Sequence, residues 1–418
     1  MPVIASITPL AVERDSRTFK QAASMIRLGY DSVVIEGRAS HLDRRDLPFE
    51  LRSLGGGETG PDAGAAAPNR GGQSGRFPGR LAHWLGQLAS RVPGIRYAVD
   101  HVYWYGVRTF LAAPMASLYY LHAFTQFPAV YLRSRIHGVP YVYDAHDFYQ
   151  GIEDGGEFGW LHRRLRLPWE RWLEAACIRH AAAVVTVSDG VAALQGQAFG
   201  CRPTVIRNCE DRRLHRAPSR RLRETTAVEP SGFLFVVVGH AKPGQAIPQL
   251  LEAMRGTPPH VHVALLGMGY ERFAARIQAL DLQSRVHLLP PVRSFEVVPF
   301  IEDADASLLL YYARSRNYAQ CLPNGFFQAI AAGLPLLYPE LPEVARLARD
   351  HALGLPIDPL SPASIARGML AFAEQPDRLL EFRRNAQRAR EVLNWEGEEE
   401  ILATLLRRCL HGPHRGEA

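Results

Sequence analysis

The sequence predicts an α/β protein made of two doubly wound domains, and three observations carry that prediction. Apolar runs of strand length alternate with helical patterns along most of the chain, and the alternation comes as two successive sets. A polar, basic stretch without a sustained apolar period separates the sets. Strands alternating with helices of this length imply parallel sheets built from βαβ units. At 418 residues, and ~150 residues per domain, there is room for two or three domains that each bury a core.

The first set of candidate strands is VIASIT (3–8), DSVVIEG (31–37), SLYYLHAF (117–124), PYVYDAH (140–146) and AAVVTVS (182–188). Helix-like stretches between them include RTFKQAASMIRLG (17–29) and PWERWLEAACIRHA (168–181). The second set is FLFVVVG (233–239), HVHVALLG (260–267), VHLLPP (286–291), ASLLLYY (306–312) and LPLLYP (334–339), with helical QAIPQLLEAM (245–254) and YERFAARIQAL (270–280). The separating stretch, 211–232, reads as a linker. It leaves an N-terminal domain at 1–210, a C-terminal domain at 233–385 and a closing helix at 386–410, expected to pack back across the domains. Within the first domain, 55–75 is rich in Gly, Ala and Pro and reads as a mobile insertion. The following FPGRLAHWLGQLASRV (77–92) sets Phe77, Leu81, Trp84, Leu85, Leu88 and Val92 on one face, with arginines interleaved. That pattern suits peripheral membrane contact or an acceptor clamp, and equally an ordinary helix packed on its own domain.

Composition narrows the function. Hydrophobic content of 47% and charged content of 22% are ordinary for a soluble globular chain. The net charge of +6, from 48 basic against 42 acidic residues, suits an anionic substrate or membrane surface, and also a solvated Arg-rich surface. No basic patch is interleaved with aromatics in the manner of a nucleic-acid binder, so no nucleic acid is expected. The five cysteines, Cys177, Cys201, Cys209, Cys321 and Cys409, form no CxxC pair and are odd in number. They point to a reducing compartment and away from a disulfide frame or zinc site. MPVIASITPLAVERD has no basic region leading into a long apolar stretch, so no secretory signal is expected. Residues 109–132 are uncharged for 24 positions, long enough to span a bilayer. Pro114 and Pro128 break the run, and Thr109, Ser117, His122, Thr125 and Gln126 lie in it. A buried strand, a turn and a helix explain it better. The expectation is a cytoplasmic chain, at most peripheral on the inner face of the membrane.

Open α/β sheets bind ligands beyond the carboxyl ends of their strands, where helix N-termini offer N–H groups to phosphates. The residues to inspect are therefore those just after each strand: His240 to Gly244, Met268 to Tyr270, Ala145 to Asp147, and Ser188 to Gly190. In QCLPNGFFQAIAAGLP (320–335), Asn324 reads as an N-cap, Gly325 as a point of close ligand approach and Gly333 as a helix stop. The same residues also punctuate a plain core helix. Strand alternation puts Asp144 and His146 on one face. Carboxylates there can orient an acceptor hydroxyl or cap a following helix. Arg17 can reach a phosphate or sit solvated at a helix start, and His122 ends a similar strand as a weaker candidate. Asp144, Asp147, His122 and His146 show neither DxD nor HxxxH spacing among themselves, so no metal site is expected.

Several segments resemble a known family. AVVTVSDGVAALQGQAFGCRPTVIRN, FVVVGHAKPGQAIPQLLEAM, VALLGMGYERFAARIQALDLQSRVHLLPPV, IEDADASLLLYY, LPNGFFQAIAAGLPLLYPELPEV and NWEGEEEI occur in the order of GT-B glycosyltransferases, specifically the group 1, family-4-like retaining class. DSRTFKQAASMIRLGYDSVVIEG and YVYDAHD are similar to elements of its acceptor domain. The resemblance implies two Rossmann-like domains facing a cleft and a metal-independent transferase without a cofactor. A nucleotide-diphosphate-sugar is the implied donor, and a glycan, lipid-linked or small-molecule compound the acceptor. Carried over by position, it makes His146 and Lys242 catalytic. It places Gly239, His240, Gly267, Gly269, Gln320, Asn324, Gly325, Phe326 and Gln328 around the donor, with Arg17, Asp144 and Asp147 on the acceptor side. The chain departs from the family pattern in four places. Gln320 and Gln328 stand where glutamates eight apart are usual, Gly325 replaces a lysine, and Gln245 stands where a lysine is often found. These changes leave a catalytically degenerate module that binds a partner or glycan as an alternative. A sugar-nucleotide epimerase shares the fold but needs cleft carboxylates that the sequence does not place.

Overall fold

The structure is a computed structural model that describes residues 1–56, 100–152, 164 and 166–412. Most of the expected insertion at 55–75, and the amphipathic segment 77–92, lie outside the described residues.

Two parallel sheets organise the chain. The first contains β1 (Val3–Thr8), β2 (Asp31–Arg38), β3 (Glu50–Gly56), β4 (Leu118–Leu121), β5 (Tyr141–Ala145), β6 (Ala183–Thr186) and β7 (Thr204–Val205), in the order β3-β2-β1-β4-β5-β6-β7. The second contains β8 (Phe233–Val238), β9 (Val261–Leu266), β10 (Val286–Leu289), β11 (Ala306–Leu308), β12 (Leu336–Pro339) and β13 (Gly354–Ile357), in the order β10-β9-β8-β11-β12-β13. Strand order reverses beside β1 in one sheet and beside β8 in the other. Such topological switch points leave a crevice at the strands' carboxyl ends.

The strands form here because both of their faces are covered, which calls for near-continuous apolar runs. In β8 the alternation decides which core each residue joins. Leu234, Val236 and Val238 pack on the side of helix Asn324–Ala331, while Phe235 and Val237 pack with helices Ile247–Met254 and Pro362–Glu374. Helix Ser16–Arg27 starts where Asp15 accepts from Thr18 N. The uncharged stretch 109–132 resolves into helix Thr109–Ala112, strand β4 and the first part of helix Phe127–His137, with Pro128 in that helix's first turn. Among the described residues, no helix is long and apolar enough to cross a membrane.

The chain divides into two compact units. One comprises Met1–His146, Arg164–Val185 and Ala403–Ala418; the other comprises Asp147–Arg163 and Thr186–Leu402. Residues 147–152 and 186–210, assigned to the N-terminal domain from the sequence, group with the second unit. The expected linker, 211–232, carries a short helix, Leu222–Thr226.

Candidate functional site

In the first unit a buried polar cluster gathers at the carboxyl ends of β1, β4 and β5. Arg17 Nε and Nη2 donate to the two oxygens of Asp144, each at 2.9 Å. Gln21 Nε2 adds a third bond to Asp144 at 2.7 Å. Arg17 is only 3% exposed and Asp144 0%. This corrects the expectation that Arg17 reaches a phosphate and Asp144 an acceptor hydroxyl: each is the other's buried counter-ion. Burial is the largest influence on Asp144 and opposes its ionisation, but the Arg17 guanidinium and its hydrogen bonds, with His146 and His122, together hold the carboxyl below the usual range. Asp15 accepts from Thr8 Oγ1, Thr18 N and Thr18 Oγ1. Burial also opposes its charge, yet His146, His122 and the Thr18 bonds together lower its pKa. Glu36, at the end of β2, accepts from Val12 N, Ser40 N, Ser40 Oγ and Ser53 Oγ, and so fixes the loop after β1.

The two histidines form a pair. His122 Nδ1 lies 3.2 Å from His146 Nε2. His122 is buried, and burial first, then His146, lowers its pKa to about 4. It is therefore neutral near pH 7 and carries one ring proton. Its Nε2 has no hydrogen-bond partner. A proton there would leave a buried donor unpaired, the costlier orphan; a proton on Nδ1 leaves only a lone pair. His122 Nδ1 thus donates and His146 Nε2 accepts, which leaves the ring proton of His146 on Nδ1. His146 is half-buried, whereas Asp15, Arg17, Gln21, His122 and Asp144 are buried. The expected shared face of Asp144 and His146 is present, and with His122 they place one ligand atom each within 4.8 Å. Sequence spacing gave no hint of this grouping, because His122 comes from a different strand. Both oxygens of Asp144 are already engaged by Arg17 and Gln21.

Asp147 belongs to the second unit and accepts from Asn317 Nδ2 at 2.9 Å, while Asn317 Oδ1 accepts from Phe148 N at 2.8 Å. Around the end of β8, the loop from Gly239 meets the loop after β9 backbone to backbone. Gly267 has φ 149°, and a Cβ on it would lie 2.0 Å from Gly239 O, so glycine is required. His240 Nδ1 accepts from Met268 N at 3.2 Å. The exposed Lys242 extends over the rings of Tyr311 and Tyr318, 5.4 and 5.8 Å from their centroids. Two aromatic faces hold this cation without neutralising it. Gln245, nearly buried, accepts from Lys242 N. Burial pushes the Tyr311 hydroxyl up to about 12, with Gln245 acting in the opposite direction.

Helix Asn324–Ala331, which follows β11 and the short helix Arg316–Gln320, differs in detail from expectation. Asn324 is its first residue, not its cap: Pro323 holds that position without a side-chain bond, and Asn324 Oδ1 accepts from Asn208 Nδ2 at 2.9 Å. What approaches Gly325 closely is the protein's own Val238 carbonyl, 3.1 Å from where a Cβ would sit. Phe326 is fully buried against Phe327, so its side chain is core and not a donor contact. Gly333 ends the helix at φ 68°, as expected. Gln320 O accepts from Ser188 Oγ at 2.7 Å, and its carboxamide packs on Gly190 at the start of helix Asp189–Phe199. Gln328 is half-buried one turn into its own helix. The aromatic support of Lys242 has no local signature in the sequence, since Tyr311 and Tyr318 lie beyond β11, far along the chain from it.

The doubly wound sheets and their glycine-lined strand ends fit the class of α/β enzymes that bind ligands at the carboxyl ends of their strands. Residues 18–213 match Glycosyltransferase Family 4, and residues 219–389 match Glycosyl transferases group 1. The chain belongs to the group 1 GT-B glycosyltransferases. Solved structures share the fold. They include sucrose-phosphate synthase from Thermosynechococcus elongatus (TM-score 0.71, 13% identity, 99% of this chain and 100% of that one). HepE from Anabaena, in complex with UDP and glucose, gives TM-score 0.68 at 16% identity over 97% of this chain and 99% of that one. WaaG, a glycosyltransferase involved in lipopolysaccharide biosynthesis, gives 0.61 at 15% identity over 99% and 100%. No curated protein sequence matches the chain.

Proposed function

We propose that the second unit binds a nucleotide-diphosphate-sugar and that the enzyme transfers the sugar, with retention and without a metal, to a glycan, lipid-linked or small-molecule acceptor held by the first unit. The observation that carries this reading is Lys242, exposed over Tyr311 and Tyr318 beside the Gly239–Gly267 backbone contact and the start of helix Asn324–Ala331. A diphosphate leaving group needs positive charge that strengthens its hold as the bond breaks. Lys242 and the helix's first N–H groups supply it. The UDP held by HepE supports the same ligand class here. His146, with its proton on Nδ1, donates a hydrogen bond to the sugar or acceptor and helps to position it. The enzyme acts in the cytoplasm, and segment 77–92 contacts the inner face of the membrane.

One observation favours a second reading. The amide of Gln320 packs on Gly190 where the family usually has a glutamate, which suits a module that binds without turnover. A thermal-shift panel of nucleotides and nucleotide sugars separates the two. The transferase reading expects a UDP- or GDP-sugar to raise the melting temperature, with affinity falling about 10- to 100-fold in Lys242→Ala, the range for a charge-assisted contact. Retention is read from the anomeric configuration of the product. No response across the panel leaves the non-catalytic module.

A further inference from the structure

The first unit carries an apolar, basic face that its own core does not use. Helix Phe127–His137 turns Phe127 and Val130 inward, and helix Leu167–His180 turns Leu173 and Cys177 inward. The two helices touch, with the Tyr131 ring 4.9 Å from the His180 ring. Arg133 Nε donates to Phe110 O at 2.9 Å, which adds helix Thr109–Ala112 to the same group. On the outer sides, Leu132 and Ile136 lie one turn apart and are 50% and 59% exposed. Leu111 is 70% exposed. Trp169 and Trp172 stack on each other at 5.1 Å, yet remain 47% and 59% exposed.

Isolated exposed apolar residues need no explanation, but a group of them spread over three touching helices does. Among the described residues of these helices, the exposed charges are arginines. Arg135, Arg166, Arg171 and Arg179 are exposed. Helix Phe127–His137 contains no carboxylate. Of the two in the neighbouring helix, Glu174 faces inward to Tyr143, and Glu170 pairs with Arg166.

We infer that this face docks on an anionic lipid bilayer. Tryptophan favours the boundary between headgroups and acyl chains, aliphatic side chains enter just below it, and arginines pair with anionic headgroups. Charge excludes the simplest protein occupant: a second copy seated on the same face would set arginine against arginine. Nucleic acid fits less well, because most of the exposed apolar residues are aliphatic and offer bases no stacking surface. The inference uses none of the strand-end residues, so it stands or falls separately from the donor chemistry.

Flotation of the full chain with phosphatidylcholine vesicles, with and without phosphatidylglycerol, tests it. The wild-type protein should float only with the anionic vesicles, and Trp169→Ala/Trp172→Ala should lose at least tenfold in apparent affinity. Arg166→Glu/Arg171→Glu should lose as much, and both variants should keep the wild-type melting temperature and nucleotide response. Quenching of tryptophan fluorescence by brominated lipid should fall in the Trp variant. No flotation overturns the proposal. So does flotation unchanged in both variants but lost on deleting 77–92, or arginine-dependent binding of single-stranded RNA in place of vesicles.

Discussion

His122 can be tested atom by atom, because its two ring nitrogens face different surroundings. Nδ1 donates to His146 Nε2, and Nε2 has no partner. An asparagine at this position can keep a donor near Nδ1, whereas leucine cannot. His122→Leu should therefore lower kcat about 10- to 100-fold, the range for residues that orient an active histidine, with little change in KM. His122→Asn should restore most of that loss. Nitrogen NMR should report His146 protonated on Nδ1 in the wild type and a mixture of tautomers in His122→Leu. A wild-type signal from the Nε2–H form would reject the assignment. The ion pair beside it predicts a different signature. Removing one partner of a buried pair leaves an uncompensated charge and costs about 3–5 kcal/mol, whereas replacing both with apolar groups costs far less. Arg17→Met and Asp144→Leu should each lower the urea midpoint strongly, and the double variant should recover much of the loss. Equal and additive losses would show that the two side chains are not each other's counter-ion.

Among the elements, helix Asn324–Ala331 carries the plainest departure from the family pattern, and reverting it gives a signed prediction. A carboxylate accepts two hydroxyl protons where a glutamine accepts one, a difference of about 1–2 kcal/mol. Gln328→Glu should tighten nucleotide-sugar binding up to about tenfold, measured by calorimetry, and weaker binding would place Gln328 away from the ligand's hydroxyls. Gln320 needs a separate argument, because its carboxamide already packs on Gly190. How much of this was legible depended on where each element sits. The interior strands β1, β4, β5, β8, β9 and β11 read clearly, because burial on both faces demands an apolar run. The three strands that went unrecognised, β3, β7 and β13, are all sheet edges. Edge strands are short or polar and can carry proline, as β13 does at Pro356. The candidate residues divide in the same way. Strand-end glycines and Lys242 announce themselves locally. The partner that removes Asp144 from the surface is Arg17, 127 positions away, and no local pattern encodes that distance. Asparagine is a favoured cap, which is why Asn324 reads as one, but Pro323 holds the cap position through its backbone alone.

At the scale of the whole molecule, histidine burial gives the stability a definite dependence on pH. Of the 16 histidines, His122 and His287 are each lowered to about 4, in both cases chiefly by burial. His122 faces His146, Asp144, Asp15 and Arg17, and the His287 ring nitrogen lies 3.2 Å from that of His262. The ordinary histidine value is 6.5. Above it, folded and unfolded chains are both neutral at these positions, and the stability difference is fully present. As pH falls from 6.5 towards 4, the unfolded chain takes up protons that the folded one refuses, and stability is lost. For the fully buried His122 the loss is on the order of 3 kcal/mol. Asp15 and Asp144 act in a lower window. Their folded values lie below the ordinary 3.8, so what they contribute is present above that pH and disappears beneath it. Repulsion adds to both stages, since the chain already carries +6 with its histidines neutral. Acid unfolding should thus proceed in two steps, a decline in melting temperature from about pH 6.5 and a steeper one below about pH 4. His122→Asn, which cannot titrate, should flatten the first step and leave the second in place. A melting temperature constant from pH 7.5 to 4.5 in the wild type, or a first step unchanged in His122→Asn, would show that His122 titrates as freely folded as unfolded.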